Sequence, residues 1–257
     1  MKKSIVAAFV GLVLSLSAQA AEKIIVGATP VPHAEILEFI KPELKKEGFE
    51  LEVKEFNDYV QPNLATESGD LDANFFQHTP YLNEFNKNNK THLVSVAGIH
   101  LEPMGVYSSK HKKFEPAQKA KIAIPNDPTN ESRALDIIAK TGVISFKQTN
   151  ALKTPLDISK NDKKLQFIEL KPAQLPRALS EVDYAVINSN YAMAANLNPV
   201  KDSLVIEDSS SPYVNVLVVK EGNENSAKIK ALKKALQSEA VKKFILDKYK
   251  GAVVPAF

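Results

Sequence analysis

The 257 residues comprise 44% hydrophobic and 25% charged side chains, with nine glycines, fifteen prolines and no cysteine. These are the proportions of a chain with a packed core, at a length that suits one large or two small domains. They exclude disorder, collagen and coiled coil as readings of the whole chain, and the missing thiol excludes disulfides, thiolate metal sites and a cysteine nucleophile. The glycines lie at 11, 27, 48, 69, 98, 105, 142, 222 and 251, so none is closer than seven positions to the next. A P-loop and a dinucleotide fingerprint both need tighter spacing, and neither can be built.

At the N-terminus, Lys2-Lys3, an apolar run from Ile5 to Leu16 and Ala18-Gln19-Ala20 form the three parts of a secretory leader. The run is shorter than the ~20 apolar residues that span a bilayer. Cleavage after Ala20 leaves 257 − 20 = 237 residues and removes two lysines, taking the formal charge from +3 to +1. With no basic–aromatic stripe and no tryptophan, nucleic acid is not an expected partner. An exported chain without disulfides suits a bacterial periplasm.

Lys23–Gly27 reads as a short strand, and His33–Lys46 as a helix with Ile36, Leu37, Ile40 and Leu44 on one face. Gly48 ends it, and Leu51–Phe56 alternates like a half-buried strand. A helix over Gln61–Ser68, stopped by Gly69, precedes a strand over Leu71–Phe76. Strand patterns recur at Leu93–Ile99, Lys121–Ile124, Leu165–Leu170, Tyr184–Ile187 and Val214–Val219, and helix patterns at Glu131–Lys140 and Ala173–Ser180. The tail from Ser226 to Tyr249 carries Ile229, Leu232, Leu236, Val241, Phe244 and Ile245 inward, with its lysines on a solvated face. This alternation predicts an α/β protein with mostly parallel sheets. A weak echo joins Leu64–Gln77 to Leu175–Asn188: in each, a helix turns through an acidic step into an apolar strand ending in an amide. Two α/β lobes of similar plan follow, and ligands of open α/β sheets lie beyond the strands' carboxyl ends. Gln77-His78 and Asn188 are therefore expected at one shared cleft.

Catalytic patterns are missing. The histidines (33, 78, 92, 100, 111) are nowhere closer than eight apart, and the glycine spacing forbids a nucleophile elbow. Asp70-x-Asp72-x-Asn74 opens like a calcium loop, but Phe75 and Tyr81 occupy the positions that need glycine and glutamate. No metal and no cofactor is expected. In Ala73–Leu82, strand alternation turns one of Phe75 and Phe76 to the core and leaves open which. His78 and Tyr81 follow the strand end and point to ligand contact. In Ile124–Leu135, Asn130 reads as the N-cap of a helix starting near Glu131, which sets Arg133 in its first turn. Cations usually sit at helix C-termini; an arginine at the opposite end suits an anion, and its planar fork suits a carboxylate. The chain has only one other arginine, Arg177.

These segments carry a resemblance. Gly27–His33, Phe56–Asn63, Gly69–His78 with Pro80–Leu82, Asn126–Asn130 with Arg133–Leu135, Gln174–Arg177, Ala185–Asn188 and Ser211–Asn215 resemble, in order, the NlpA/MetQ family of methionine-binding components of bacterial ABC importers. The resemblance implies an α/β, two-lobed periplasmic-binding-protein fold, type II-like, with the ligand cleft between the lobes. Lobe I would comprise residues 21–108, lobe II 109–206, and 207–257 would return to complete lobe I, behind a leader over 1–20. It further implies that Arg133 clamps the ligand's α-carboxylate, that Asn188 and Asn215 position its polar end including the ammonium, that Tyr59 and Phe76 wall its side chain, and that His78 and Tyr81 lie near a thioether. The expected partners are L-methionine, or a related small amino acid or dipeptide, and an ABC permease with its ATPase in the inner membrane. Family members are commonly anchored by a lipidated cysteine, and its absence here implies a freely diffusing protein. Glu131-Ser132 replaces a more apolar pair and bears on ligand choice. The expected function is delivery of methionine to an importer, without enzymatic activity. An exported interaction or adhesin-type protein on the same fold is the alternative, and an exported hydrolase a weaker one.

Overall fold

The computed structural model describes residues 21–147, 152–208 and 211–257; the leader expected over 1–20 lies outside them. The first half of the chain builds β1 (Glu22–Ala28), α1 (Glu35–Lys46), β2 (Phe49–Glu55), α2 (Gln61–Ser68), β3 (Ala73–His78), α3 (Thr79–Asn89), β4 (Leu93–Leu101) and β5 (Gly105–Tyr107). Next come β6 (Lys121–Pro125), α4 (Pro128–Lys140), β7 (Ser145–Phe146), β8 (Ile158–Lys160), β9 (Gln166–Leu170), α5 (Leu175–Ala178) and β10 (Tyr184–Ile187). The chain closes with α6 (Ser189–Ala194), α7 (Pro199–Asp202), β11 (Val205–Ile206), β12 (Val214–Lys220), α8 (Ala227–Leu236), α9 (Glu239–Tyr249) and β13 (Val254–Pro255). No described helix is long and apolar enough to cross a membrane.

Two sheets organise these elements, one ordered β13-β4-β12-β3-β1-β2 and the other β11-β5-β10-β6-β9. Parallel pairing is confined to β3-β1-β2 and β10-β6-β9, while β4, β12, β13, β5 and β11 run antiparallel to their neighbours. The sheets are thus mixed rather than mostly parallel. Strands such as β4 and β12, buried along much of their length, carry no pattern that distinguishes direction. Between the sheets the chain crosses at Glu102–Met104 and again between β11 and β12. The first crossing falls ahead of the boundary at 108 drawn from the sequence, because the three-residue β5 pairs with β10; so short a strand has no periodicity to read.

Each sheet has its own core. Ile24, Val26, Phe75, Ile99, Leu217 and Val219 of the first sheet pack against Ile36, Leu37, Ile40 and Leu44 of α1 and against Ile229, Leu232, Leu236, Val241 and Ile245 of α8 and α9. The second sheet is covered on one face by Leu135 and Ile138 of α4 and on the other by Leu175 and Ala192 of α5 and α6. The tail is two helices rather than one. Ser238 breaks the run and caps α9 by accepting from the Val241 N–H at 3.3 Å. Gly27 matters for close approach: a Cβ there would meet Leu71 Cδ1 at 2.5 Å.

Every residue of β3 is buried, including three polar ones. Asn74 and Gln77 face α2, where Asn63 and Gln77 exchange amide bonds at 3.0 and 2.6 Å. Asn74 accepts from Gln77 at 2.8 Å and donates to Thr66 Oγ1 at 2.8 Å. This network locks α2 onto the sheet. Asn74→Ala removes one buried hydrogen bond each from Gln77 and Thr66, which keep their bonds to Asn63 and the Pro62 carbonyl, so a loss of about 1–3 kcal/mol of stability is expected, read as a fall in the urea midpoint.

Candidate functional site

The cleft lies where the strand ends of both sheets meet, and sheet register fixes its floor. Asn215 on β12 pairs with His78 on β3 and with His100 on β4, so three polar residues form a row across the first sheet. From the second sheet, the loop after β6 leads into Asn130 and Arg133 of α4, and Asn188, Ser189 and Asn190 follow β10. Tyr59, Phe76, Gln77, His78, Tyr81, Glu102, Asn130, Arg133, Asn188, Ser189, Asn190 and Asn215 line one cavity between the lobes. On one side the rings of Tyr59, Phe76 and Tyr81 stand 5.8–6.1 Å apart, an apolar wall. The lobes are latched across it. Tyr59 Oη donates to Asn190 Oδ1 at 2.6 Å, Tyr191 Oη donates to the Asn57 carbonyl at 3.2 Å, and His78 Nε2 lies 3.1 Å from Asn130 Oδ1.

The hydrogen bonds orient each amide. Asp127 caps α4, accepting from the Asn130 backbone N–H at 3.0 Å and from Asn130 Nδ2 at 2.9 Å. Asn130 Oδ1 must then accept, taking Asn188 Nδ2 at 2.9 Å and His78 Nε2–H. His78 Nδ1 accepts from the Tyr81 backbone N–H at 3.1 Å, which fixes the same tautomer independently. Burial and the Arg133 charge push the His78 pKa down to about 3, so the ring is neutral. Asn188 Oδ1 is left buried with no partner among the described residues. On the other side His33 Nε2 meets Asn215 Oδ1 at 3.1 Å, so the Asn215 amide keeps its Nδ2 donors for the cavity.

Arg133 is buried and already engaged. Its Nε donates to both Glu207 oxygens at 3.0 and 3.2 Å, and its second terminal nitrogen donates to Glu207 Oε2 and, at 2.8 Å, to the Glu102 carbonyl. The guanidinium also lies 4.2 Å from the centre of the Tyr213 ring. Glu102 and Glu207 flank the two crossings between the sheets, so Arg133 ties α4 to both. The remaining nitrogen, Nη1, takes part in none of these bonds.

All seven residues singled out from the sequence, Tyr59, Phe76, His78, Tyr81, Arg133, Asn188 and Asn215, line this one cavity. Other expectations are revised, and one left open is decided. The helix starts at Pro128 under an Asp127 cap, so Arg133 sits in the second turn and not the first. The argument from the helix N-terminus lapses, and the guanidinium itself is what remains. Phe75 is the core residue and Phe76 the cavity residue. Gln77 reaches the cavity wall, but its amide is consumed by Asn63 and Asn74. Glu131 does not line the cavity; burial and the neighbouring Glu169 carboxylate push its carboxyl up to about 8. Glu102, Asn130, Ser189 and Asn190 escaped the sequence reading. Asn190 follows the Asn188 strand end by two positions, a signal that was present. Glu102 sits in an aperiodic crossing and gave none.

Glu102 sits 6% exposed between two histidines, with its Oε1 2.7 Å from His100 Nε2 and 3.2 Å from His33 Nε2. His33 Nδ1 lies 2.7 Å from Thr29 Oγ1, which can donate to it, so His33 Nε2 carries the proton. Burial pushes the His33 and His100 pKa values down to about 4 and about 3, and pushes the Glu102 carboxyl up. The trio's ligand atoms lie within 4.8 Å of one another, close enough for a divalent ion to bridge them. The observed bonds instead join His100 Nε2 to the carboxyl, while His33 Nε2–H is taken by Asn215 Oδ1.

A cavity enclosed between two mixed α/β lobes, with its polar groups drawn from both, defines a two-lobed periplasmic-type binding protein. The family model for NlpA lipoproteins matches residues 24–257, and the chain belongs to that family. It is 41% identical to the membrane lipoprotein TpN32 of Treponema pallidum, over 99% of this chain and 98% of that one. It is 40% identical to the methionine-binding lipoprotein MetQ of Bacillus subtilis, over 91% and 88% of the two chains. Among solved structures, a nutrient-binding protein of Burkholderia cenocepacia bound to methionine superposes with a TM-score of 0.88 at 47% identity, covering 91% of this chain and all of that one.

Proposed function

We propose that this chain captures methionine in the interlobe cavity and delivers it to an ABC permease and its ATPase, binding its cargo without transforming it. The observation that carries the reading is the cavity's division into a polar end with Arg133, Asn188 and Asn215 and an aromatic end with Tyr59, Phe76 and Tyr81. A zwitterion with a soft thioether side chain needs both. The methionine in the B. cenocepacia relative and the name of the B. subtilis one support the same ligand. In this reading Arg133 Nη1 and Asn215 Nδ2 hold the α-carboxylate, the three aromatic rings hold the side chain, and His78 acts from behind by orienting Asn130 and Tyr81. Because its contacts come from both lobes, the ligand favours the closed arrangement over an open one. Export through the leader ending at Ala20, without a lipid on cysteine, belongs to the same proposal, supported by the tripartite leader and the cysteine-free composition.

The test is calorimetry and thermal shift on protein stripped of co-purified ligand, with L-methionine, D-methionine and Gly-Met. Ligand at 100 times its Kd is expected to add about 2.7 kcal/mol of stability. No shift with any of the three would sink the proposal.

A further inference from the structure

Two concave spaces reach Arg133. The first is the interlobe cavity. The second is a surface groove bordered by Ile137 and Lys140 of α4 and by Glu207, Pro212 and Tyr213 of the second crossing, and Arg133 is the residue common to both. The guanidinium is nevertheless buried, and Tyr213 supplies a cover. This half-buried ring lies with its centre 4.2 Å from Arg133 Cζ. The same ring meets the His78 imidazole nearly edge-on, with centroids 4.9 Å apart and planes at 70°. Tyr213 does not line the cavity, so any effect it has on a ligand there passes through Arg133 and His78.

The hydrogen bonds of the guanidinium run along one of its edges. Nε and the second terminal nitrogen go to Glu207 and to the Glu102 carbonyl, and Nη1 takes part in none of these bonds. A fork held along one edge is free to tilt about it, and an aromatic face laid against its plane opposes the tilt. His78 braces that ring from a second direction and is itself fixed, by Asn130 Oδ1 and by the Tyr81 backbone N–H. Chain connectivity sets the ring in place. Tyr213 stands one residue ahead of β12 and two ahead of Asn215, whose register partner on β3 is His78. The crossing that delivers Asn215 to the cavity therefore delivers the ring to the back of Arg133.

The geometry points to Tyr213 as a positioning residue for anion capture by Arg133: its ring holds the guanidinium plane so that Nη1 meets a carboxylate in the cavity, and it shields that face from the water of the groove. This rests on the proposed capture of an α-amino acid and deepens it. A guanidinium already held in place loses little freedom on binding, and one kept dry behind bonds a carboxylate more strongly than a hydrated one. The benefit belongs to ligands that carry a carboxylate. A ligand without one does not draw on the ordered fork.

The experiment compares L-methionine with L-methioninol, in which a hydroxymethyl group replaces the carboxylate, by calorimetry on the wild type, Tyr213→Phe and Tyr213→Leu. Methioninol is read by its competition with methionine. Tyr213→Phe keeps the aromatic face and should bind methionine within about threefold of the wild type. Tyr213→Leu keeps an apolar side chain without that face. It should weaken methionine about tenfold, the size of one partly buried cation–π contact, and change methioninol by less than about threefold. Urea midpoints establish that each variant is folded, and Tyr213→Met carries the same comparison if the leucine variant is not. A leucine variant with wild-type affinity for methionine overturns the assignment, as does a phenylalanine variant as weak as the leucine one. Equal losses of methionine and methioninol in the leucine variant overturn it too, since that is what lost packing alone would give. A wild type that binds no methionine removes the capture reading itself and this inference with it, and the wild-type titration alone identifies that case.

Discussion

Arg133→Ala is expected to weaken methionine binding by roughly three decades, about 4 kcal/mol, through loss of the proposed carboxylate clamp. It will also damage the fold. An arginine that served the ligand alone could be removed without cost to the empty protein, but this one holds Glu207 through three hydrogen bonds. The Glu207 side chain is 6% exposed, so truncating its partner strands a buried carboxylate at a cost of about 3–5 kcal/mol. The two effects separate in the double variant Arg133→Ala/Glu207→Ala, which removes both charges together. Its urea midpoint should recover most of the loss seen in the single variant, while calorimetry still finds no high-affinity binding. A double variant that binds methionine within tenfold of the wild type would refute the clamp. Equal instability in the single and double variants would refute the role given to Glu207.

What the sequence made legible, and what it hid, divides along physical lines. Elements with a one-sided apolar stripe were readable: α1 is betrayed by Ile36, Leu37, Ile40 and Leu44, all of them buried. Strand ends were readable too, so His78 and Asn188 could be brought to one cleft before any coordinates. Pairing direction was not, because β12 and β4 are buried in runs that look alike in either sense. The start of α4 was misjudged because Asp127 and Asn130 are both good caps, and Pro128, suited to the first helical position, decides for Asp127. Glu102 could not be found: its carboxyl is placed by His100 on β4 and its carbonyl by Arg133 on α4, partners that meet it at the crossing only once the fold is assembled.

Stability is expected to fall between about pH 6.5 and pH 4, through histidines that are buried neutral. His33, His78 and His100 titrate near 6.5 when unfolded and at about 4, about 3 and about 3 in the folded protein. A depressed folded pKa means that stability is fully present above the unfolded value and is lost as pH falls towards the folded one. Through that window the unfolded chain binds up to three more protons than the native state, each adding about 1.4 kcal/mol per pH unit to the slope. Carboxyls with raised pKa values oppose this. Glu131, pushed up to about 8, keeps a proton in the folded state that the unfolded chain releases above 4.5, which leaves a net uptake of about two protons at most. Glu102 and Asp127, both raised by burial, reduce it further. Below about pH 4.5 the unfolded Glu131 is protonated as well and the opposition fades, so the curve steepens as it falls. Two protons over two pH units amount to at most about 5–6 kcal/mol, which reaches only the lower end of the usual native stability of about 5–15 kcal/mol. The measurement is the urea midpoint from pH 7.5 to 4, alongside His100→Gln. Glutamine can still donate to Glu102 but cannot titrate, so its slope between pH 6 and 4 should be shallower by about 1.4 kcal/mol per unit. A variant with an unchanged slope would show that the His100 imidazole is not held neutral by burial.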